Sequence, residues 1–134
     1  MALLPVTLVT AAAAVFLNIW LGLRVAQYRS KFKVSVGDGG HEPLLRRMRA
    51  QLNYLESAPF VLILITTLEL SGASKVGLGI IAATYLLVRI SHGIGMDSAE
   101  NRRWREIGAM GTGIVMVALG VWAIGCVAIN CLGR

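Results

Sequence analysis

Apolar residues fall into four long blocks separated by short polar stretches. The first, 2–23, is an uncharged run of 22 residues, and at ~1.5 Å per residue it is long enough to cross ~30 Å of hydrocarbon. The second, 44–70, begins polar and becomes almost wholly apolar from 60 to 68, with Glu69 near its end. The third is uncharged from 76 to 88 and continues through Arg89, Ser91 and His92 toward Met96. The fourth, 107–132, runs for 26 residues without a charge. This pattern predicts an all-α integral membrane protein, a four-transmembrane-helix bundle with helices at about 2–23, 44–70, 76–96 and 106–131 in one domain over 1–134. A cleaved signal peptide at 2–23 is the competing reading, but the basic cluster follows the apolar run and none precedes it, which favours a retained helix.

The polar positions inside these blocks carry the chemistry. Arg46, Arg49, Asn53 and Glu56 follow i, i+3, i+7, i+10 and share one narrow stripe of a helix, while Leu52, Leu55 and Ala58 occupy other faces. Lipid headgroups account for Arg46 and Arg47. They do not account for Asn53 and Glu56, which lie deeper, where an ionisable group marks a functional site by default. Pro59 predicts a kink in the second helix. Arg89 and His92 are one turn apart on one face of the third. Asn18 needs a partner away from lipid, and an interhelical hydrogen bond is the simplest one.

Of the connections, 24–43 reads as a loop holding Arg24, Arg29, Lys31 and Lys33, then Gly37-Asp38-Gly39-Gly40. The glycine cluster reads as a tight turn; it lacks the Lys-Ser/Thr ending of a phosphate loop and follows no strand. Residues 71–75 suffice only for a hairpin between antiparallel helices. The polar loop at 97–106 brings Arg102, Arg103 and Arg105 directly to the last block. That block is rich in small residues, among them Gly108, Ala109, Gly111, Gly113, Gly120 and Gly125, and predicts a closely packed seam.

Composition agrees with a bilayer protein: 56% of residues are hydrophobic and the mean hydropathy is +0.69. The formal charge of +6 is concentrated in two short segments, without a basic surface interleaved with aromatics, so it speaks of membrane orientation and not of nucleic acid. Ten basic residues flank the first and third connections, against Lys75 and Arg134 on the other side. Both termini are therefore expected outside the cytoplasm and the two basic connections inside it. Cys126 and Cys131 are five apart and match no metal motif, and His41 has no second ligand at metal spacing; inert thiols and no metal are expected.

Arg24, Arg46, Arg49, Arg89 and Arg105 are all expected at one membrane depth. Several guanidinium groups with one carboxylate, Glu56, and one amide, Asn53, suit a ligand with more than one carboxylate and a free amine, since arginine binds carboxylate bidentately. Glu56 would receive the ammonium or pair with an arginine. Glutathione has that charge pattern, as do other peptides and acidic amphiphiles.

The stretch R-x-x-R-A-Q-x-N-x-x-E-x-x-P from Arg46 to Pro59 resembles the signature of the MAPEG proteins, membrane-associated proteins of eicosanoid and glutathione metabolism, and Val36-Gly37-Asp38-Gly39-Gly40 resembles a loop of their small bacterial members. The resemblance implies a homotrimer of four-helix protomers in a bacterial inner membrane, with glutathione bound as co-substrate between subunits near the cytoplasmic side. It implies Arg46, Arg49, Asn53, Glu56 and Arg89 as glutathione-binding positions. Arg105 resembles the arginine that stabilises the thiolate, with Arg102 and Arg103 as alternatives for that role. Such a cation favours the thiolate, which is the nucleophile. At Met96 the chain departs from the eicosanoid enzymes, where a tyrosine is common, which argues against their substrates. The implied function is a membrane glutathione transferase or peroxidase acting on hydrophobic electrophiles from the bilayer in detoxification; the alternative is a non-catalytic lipid- or glutathione-binding member. A four-span proton-coupled exporter is disfavoured because 2–23 holds no acid.

Overall fold

Each apolar block forms one helix. In a computed structural model of the chain, which describes residues 3–97, 100 and 102–132, the last three by backbone alone, the elements are α1 (Pro5–Phe32), α2 (Glu42–Leu70), α3 (Lys75–Gly95) and α4 (Arg102–Leu132). The Cys131 side chain and Arg134 lie outside the described residues, as does the expected start of the first span at Ala2.

Two boundaries differ from expectation for the same reason: charge ends an apolar run without ending a helix. The first helix continues past 23 through Arg24, Arg29 and Lys31 to Phe32, so most of the basic part of the expected loop is helical. Residues 24–32 contain neither Gly nor Pro. The helix stops only at Lys33, which is left-handed (φ 56°), where the N–H of Val34 donates to Arg29 O at 3.0 Å and that of Lys33 to Ser30 O at 3.4 Å. Likewise α4 starts at Arg102, so Arg102, Arg103 and Arg105 sit on its first turns and not in a loop. The Gly37–Gly40 stretch is the expected turn: Gly37, Gly39 and Gly40 have positive φ, and the Asp38 carboxylate accepts from Gly40 N–H at 3.1 Å. The second helix is continuous through Pro59.

α1, α3 and residues 102–129 of α4 are long and apolar enough to cross a membrane; α2, polar through its first half, is not among them but packs along the other three. The chain is thus an all-α membrane bundle of four helices. Its core is drawn from helical stripes: Ala14, Leu17 and Leu21 of α1; Ala50, Tyr54, Ala58, Val61, Ile65 and Leu68 of α2; Leu78, Ala82 and Tyr85 of α3; Val115 and Leu119 of α4. The closest pairing is α3 on α4, followed by α1 on α2, whereas α1 and α4 make no contact among the described residues.

The α3–α4 approach depends on missing side chains. A Cβ on Gly108 would lie 2.4 Å from His92 Cβ, and one on Gly111 2.6 Å from Val88. The predicted small-residue seam is therefore confined to the first part of α4. A Cβ on Gly113, Gly120 or Gly125 would meet nothing within 4 Å.

Candidate functional site

The stripe on α2 stands on a ridge between two grooves. On one side α2, α3 and α4 enclose a cavity of about 500 Å³ lined by Arg46, Arg49, Asn53, His92, Met96 and Arg105, with Glu42 and Glu106 at its rim. On the other side, against α1, lies a groove of about 770 Å³ lined by Arg29, Met48, Gln51, Leu52, Leu55 and Glu56. Arg49 and Asn53 reach both. Each volume falls within the ~300–1,000 Å³ typical of small-molecule sites.

The sequence-predicted site residues divide accordingly. Arg46, Arg49, Asn53 and Arg105 come together around the first cavity. Glu56 does not: it is exposed in the second groove and forms no ion pair with an arginine among the described residues of the protomer. Arg89 is withdrawn from both grooves. At 3% exposure it lies on the core stripe of α3, with Nη1 donating to Thr112 Oγ1 at 3.4 Å and its guanidinium 5.7 Å from the Tyr54 ring centroid. Its Nε is buried with no acceptor among the described residues. Burial follows from spacing, since Leu78, Ala82, Tyr85, Arg89 and His92 all lie on the face that α3 turns inward.

Arg24 also leaves the expected convergence. It pairs with Asp97, the residue after Met96, and lies over Trp20 at 4.4 Å. Arg47 reaches the same carboxylate at 2.6 Å and stacks over Tyr28 at 3.6 Å, so it is not the lipid-facing residue its position suggested. Asn18 forms no interhelical hydrogen bond through its buried Oδ1, which has no partner among the described residues.

Sequence reasoning underrated His92. Its Nε2 lies 3.4 Å from Asn53 Nδ2 and its Nδ1 3.3 Å from the backbone oxygen of Arg105, so it ties α2 and α4 together at the cavity wall. A histidine one turn after a buried arginine on an inward face was the available signal. The tyrosines of the core give no hydroxyl to the cavity. Tyr54 donates to Ala14 O at 2.8 Å, and Tyr85 shares a 2.9 Å bond with Ser57.

Chemically, the first cavity presents three guanidinium groups, an amide and an imidazole against two rim carboxylates. Glu42 is engaged by Arg46 at 2.9 Å and Glu106 by Arg102 at 2.6 Å. Arg49 and Arg105 form no ion pair among the described residues and remain available to an anionic ligand. No group of three or more His, Cys, Asp or Glu side chains with metal-binding geometry occurs among the described residues.

Comparison with known proteins gives concordant findings. Residues 7–125 match the sequence pattern of the MAPEG family. The chain is similar to the inner membrane protein YecN of Escherichia coli K12, with 29% identity over 101 residues, covering 73% of this chain and 76% of that protein. YecN of E. coli O6:H1 gives the same identity and coverage.

Proposed function

The chain belongs to the MAPEG family, and on that premise we propose that it is a membrane-bound glutathione transferase or peroxidase whose site is the cavity between α2, α3 and α4. The observation that carries the reading is that Arg49, Asn53 and Arg105, from two helices far apart in sequence, face one cavity while Arg49 and Arg105 have no ion-pair partner among the described residues. The carboxylates of glutathione take the guanidinium groups of Arg46 and Arg49, and Asn53 hydrogen-bonds the peptide. Arg105 faces the sulfur.

A permanent cation beside the thiol stabilises the thiolate, lowering a pKa that is ~8.5 for an unperturbed thiol. The thiol proton leaves to water. The thiolate then attacks carbon of an electrophile, forming the C–S bond as the leaving group departs with the bonding pair. With a hydroperoxide it attacks the terminal oxygen, the O–O bond breaks and the alkoxide leaves to take a proton from water as the alcohol; the sulfenic acid so formed is displaced at sulfur by a second glutathione, giving glutathione disulfide and water.

Glu56 and Arg89 enter this proposal differently from the other site residues. In a homotrimer the exposed Glu56 receives a group from a neighbouring subunit, placing glutathione at a subunit interface. Arg89 acts from behind the wall through Thr112 and the core. We place the site on the cytoplasmic side and both termini outside, following the basic connections; impermeant labelling of Ser35→Cys from outside intact cells would reverse that orientation.

A binding role without turnover is the second reading. It is favoured by Met96 in the cavity wall and by the engagement of both core tyrosine hydroxyls elsewhere, which leaves no phenol to assist a leaving group. Purified protein with glutathione decides between the two. Wild type is expected to show an ultraviolet thiolate band near neutral pH and to conjugate a hydrophobic aryl halide. Arg105→Ala is expected to lose about tenfold in thiolate fraction, one pKa unit or about 1.4 kcal/mol, while keeping most binding. Because the folded site lowers the thiol pKa, the variant's rate should recover as pH rises toward ~8.5. Binding without band or turnover in wild type leaves the second reading. Loss of the band in Arg102→Ala or Arg103→Ala, but not in Arg105→Ala, reassigns the residue.

A further inference from the structure

We propose that Asp97 is a positioning residue for Arg105, acting through the end of α3; the functional consequence rests on the reading of Arg105 as the group beside the glutathione thiol. Asp97 receives two arginines from two different helices, Arg24 of α1 and Arg47 of α2. Both guanidinium side chains are nearly buried, at 12% and 11% exposure, and each is held over an aromatic ring. Neither is free to swing away, so the carboxylate is tied at once to α1 and α2.

The carboxylate is also continuous with α3. The N–H of Asp97 donates to Ile94 O and that of Met96 to His92 O, both at 3.0 Å, which leaves no slack between the ion pairs and the helix. The same end of α3 seats the start of α4. Ser91 Oγ donates to Trp104 O at 2.9 Å, His92 Nδ1 lies 3.3 Å from Arg105 O, and Gly95 is so close that a Cβ there would lie 2.2 Å from Arg105 N.

One route from the α1–α2 pair to the backbone of Arg105 therefore runs through Asp97 and α3. Among the described residues α1 makes no contact with α4, so it reaches the start of α4 only through α2 and α3; Asp97 is one of these ties, beside the α2–α4 packing and the Asn53–His92 contact. One carboxylate holding two arginines is also asymmetric. Its neutralisation leaves two confined cations side by side, and their repulsion releases the α3 end from both partners at once. Arg105 then loses its fixed position against the sulfur, where small displacement costs catalysis.

The test compares Asp97→Asn and Asp97→Glu with wild type in detergent, using the full chain and glutathione. Titration of the thiolate band reads the pKa of bound glutathione only, so it does not respond to a mere loss of folded protein. Asp97→Asn is expected to raise that pKa by about one unit, a tenfold loss of thiolate at neutral pH, with little change in affinity. Asp97→Glu, which keeps the charge, is expected to stay near wild type. Hydrogen exchange at the amides of 104–108 is expected to quicken in Asp97→Asn. Should that variant not fold, Arg47→Gln, which leaves Arg24 on the carboxylate, carries the same test with the same signs. An unchanged thiol pKa in a folded variant overturns the proposal, as does unchanged exchange at 104–108. If wild type binds no glutathione, the proposed function fails, and the exchange comparison alone decides whether Asp97 seats α4.

Discussion

The two ends of the bundle each use one carboxylate to tie helices together, and they use it in opposite ways. At the end away from the cavity, Glu69 of α2 accepts the N–H groups of Val6 and Thr7 at 3.0 and 2.7 Å and the Thr7 hydroxyl at 2.7 Å. These are the orphan donors of α1, whose own N-cap, Leu4, supplies no side-chain acceptor. At the cavity end, Asp97 meets two full positive charges. The difference separates architecture from chemistry. Neutral donors engage both oxygens of Glu69, whereas the basic end holds more cations than acids and keeps Arg49 and Arg105 without ion-pair partners among the described residues.

The largest break in that comparison is expected at a close helix–helix contact of the basic end. Gly108→Leu drives a side chain into the backbone of His92, where even a Cβ would come within 2.6 Å, and should cost about 1–3 kcal/mol or more while displacing Arg105. Gly113→Leu, which faces open space, is the control and should leave thermal unfolding in detergent unchanged. Comparable losses in the two variants would mean that α4 does not pack on α3 as described.

A smaller effect is expected at the quiet end. Glu69→Leu strands two backbone donors at the head of α1, which lipid cannot satisfy, and should lower the unfolding temperature by several degrees. Glutathione binding by the protein that remains folded should be unaffected. Glu69→Gln, which keeps an acceptor, should fall between. A change in glutathione affinity in either variant would show that the two ends are coupled.

The smallest effect in the isolated protomer is expected for Glu56→Ala. With no ion pair to Glu56 among the described residues, stability should stay within ~0.5 kcal/mol of wild type when the protein is monomeric in detergent. Binding of glutathione should weaken only in the assembled protein. A large loss of stability in the monomer would require an internal partner that is not found among the described residues.

What could be read from the sequence and what could not follows from the range of each signal. Four helices, their membrane character and the facing of Arg46, Arg49 and Asn53 were legible, because length, hydropathy and a period of 3.6 residues are properties of one helix at a time. That an arginine from the 102–105 cluster opens the last helix was legible because the charges stand directly before an apolar block, but only the structure put Arg105 in the cavity wall. The same local signals ended α1 too early, since an apolar count cannot see that Arg24 continues the helix with Asp97 to receive its charge.

Which groove a stripe faces was beyond those signals. Glu56 shares the stripe with Asn53 by spacing, yet the rotation of α2 against α1 and α3 turns it to the opposite groove. Arg89 has the composition of a ligand-binding residue and the position of a core one, and only the placement of α4 over it, with Thr112 opposite, decided between them. His92, Glu69 and Asp97 owe their roles to partners 13 to 73 positions away. Sequence by itself determined the helices and their polar faces, because backbone hydrogen bonding and burial in lipid act locally. Tertiary structure alone decided which charges meet, because a pairing between helices is set by crossing and rotation, which no single helix encodes.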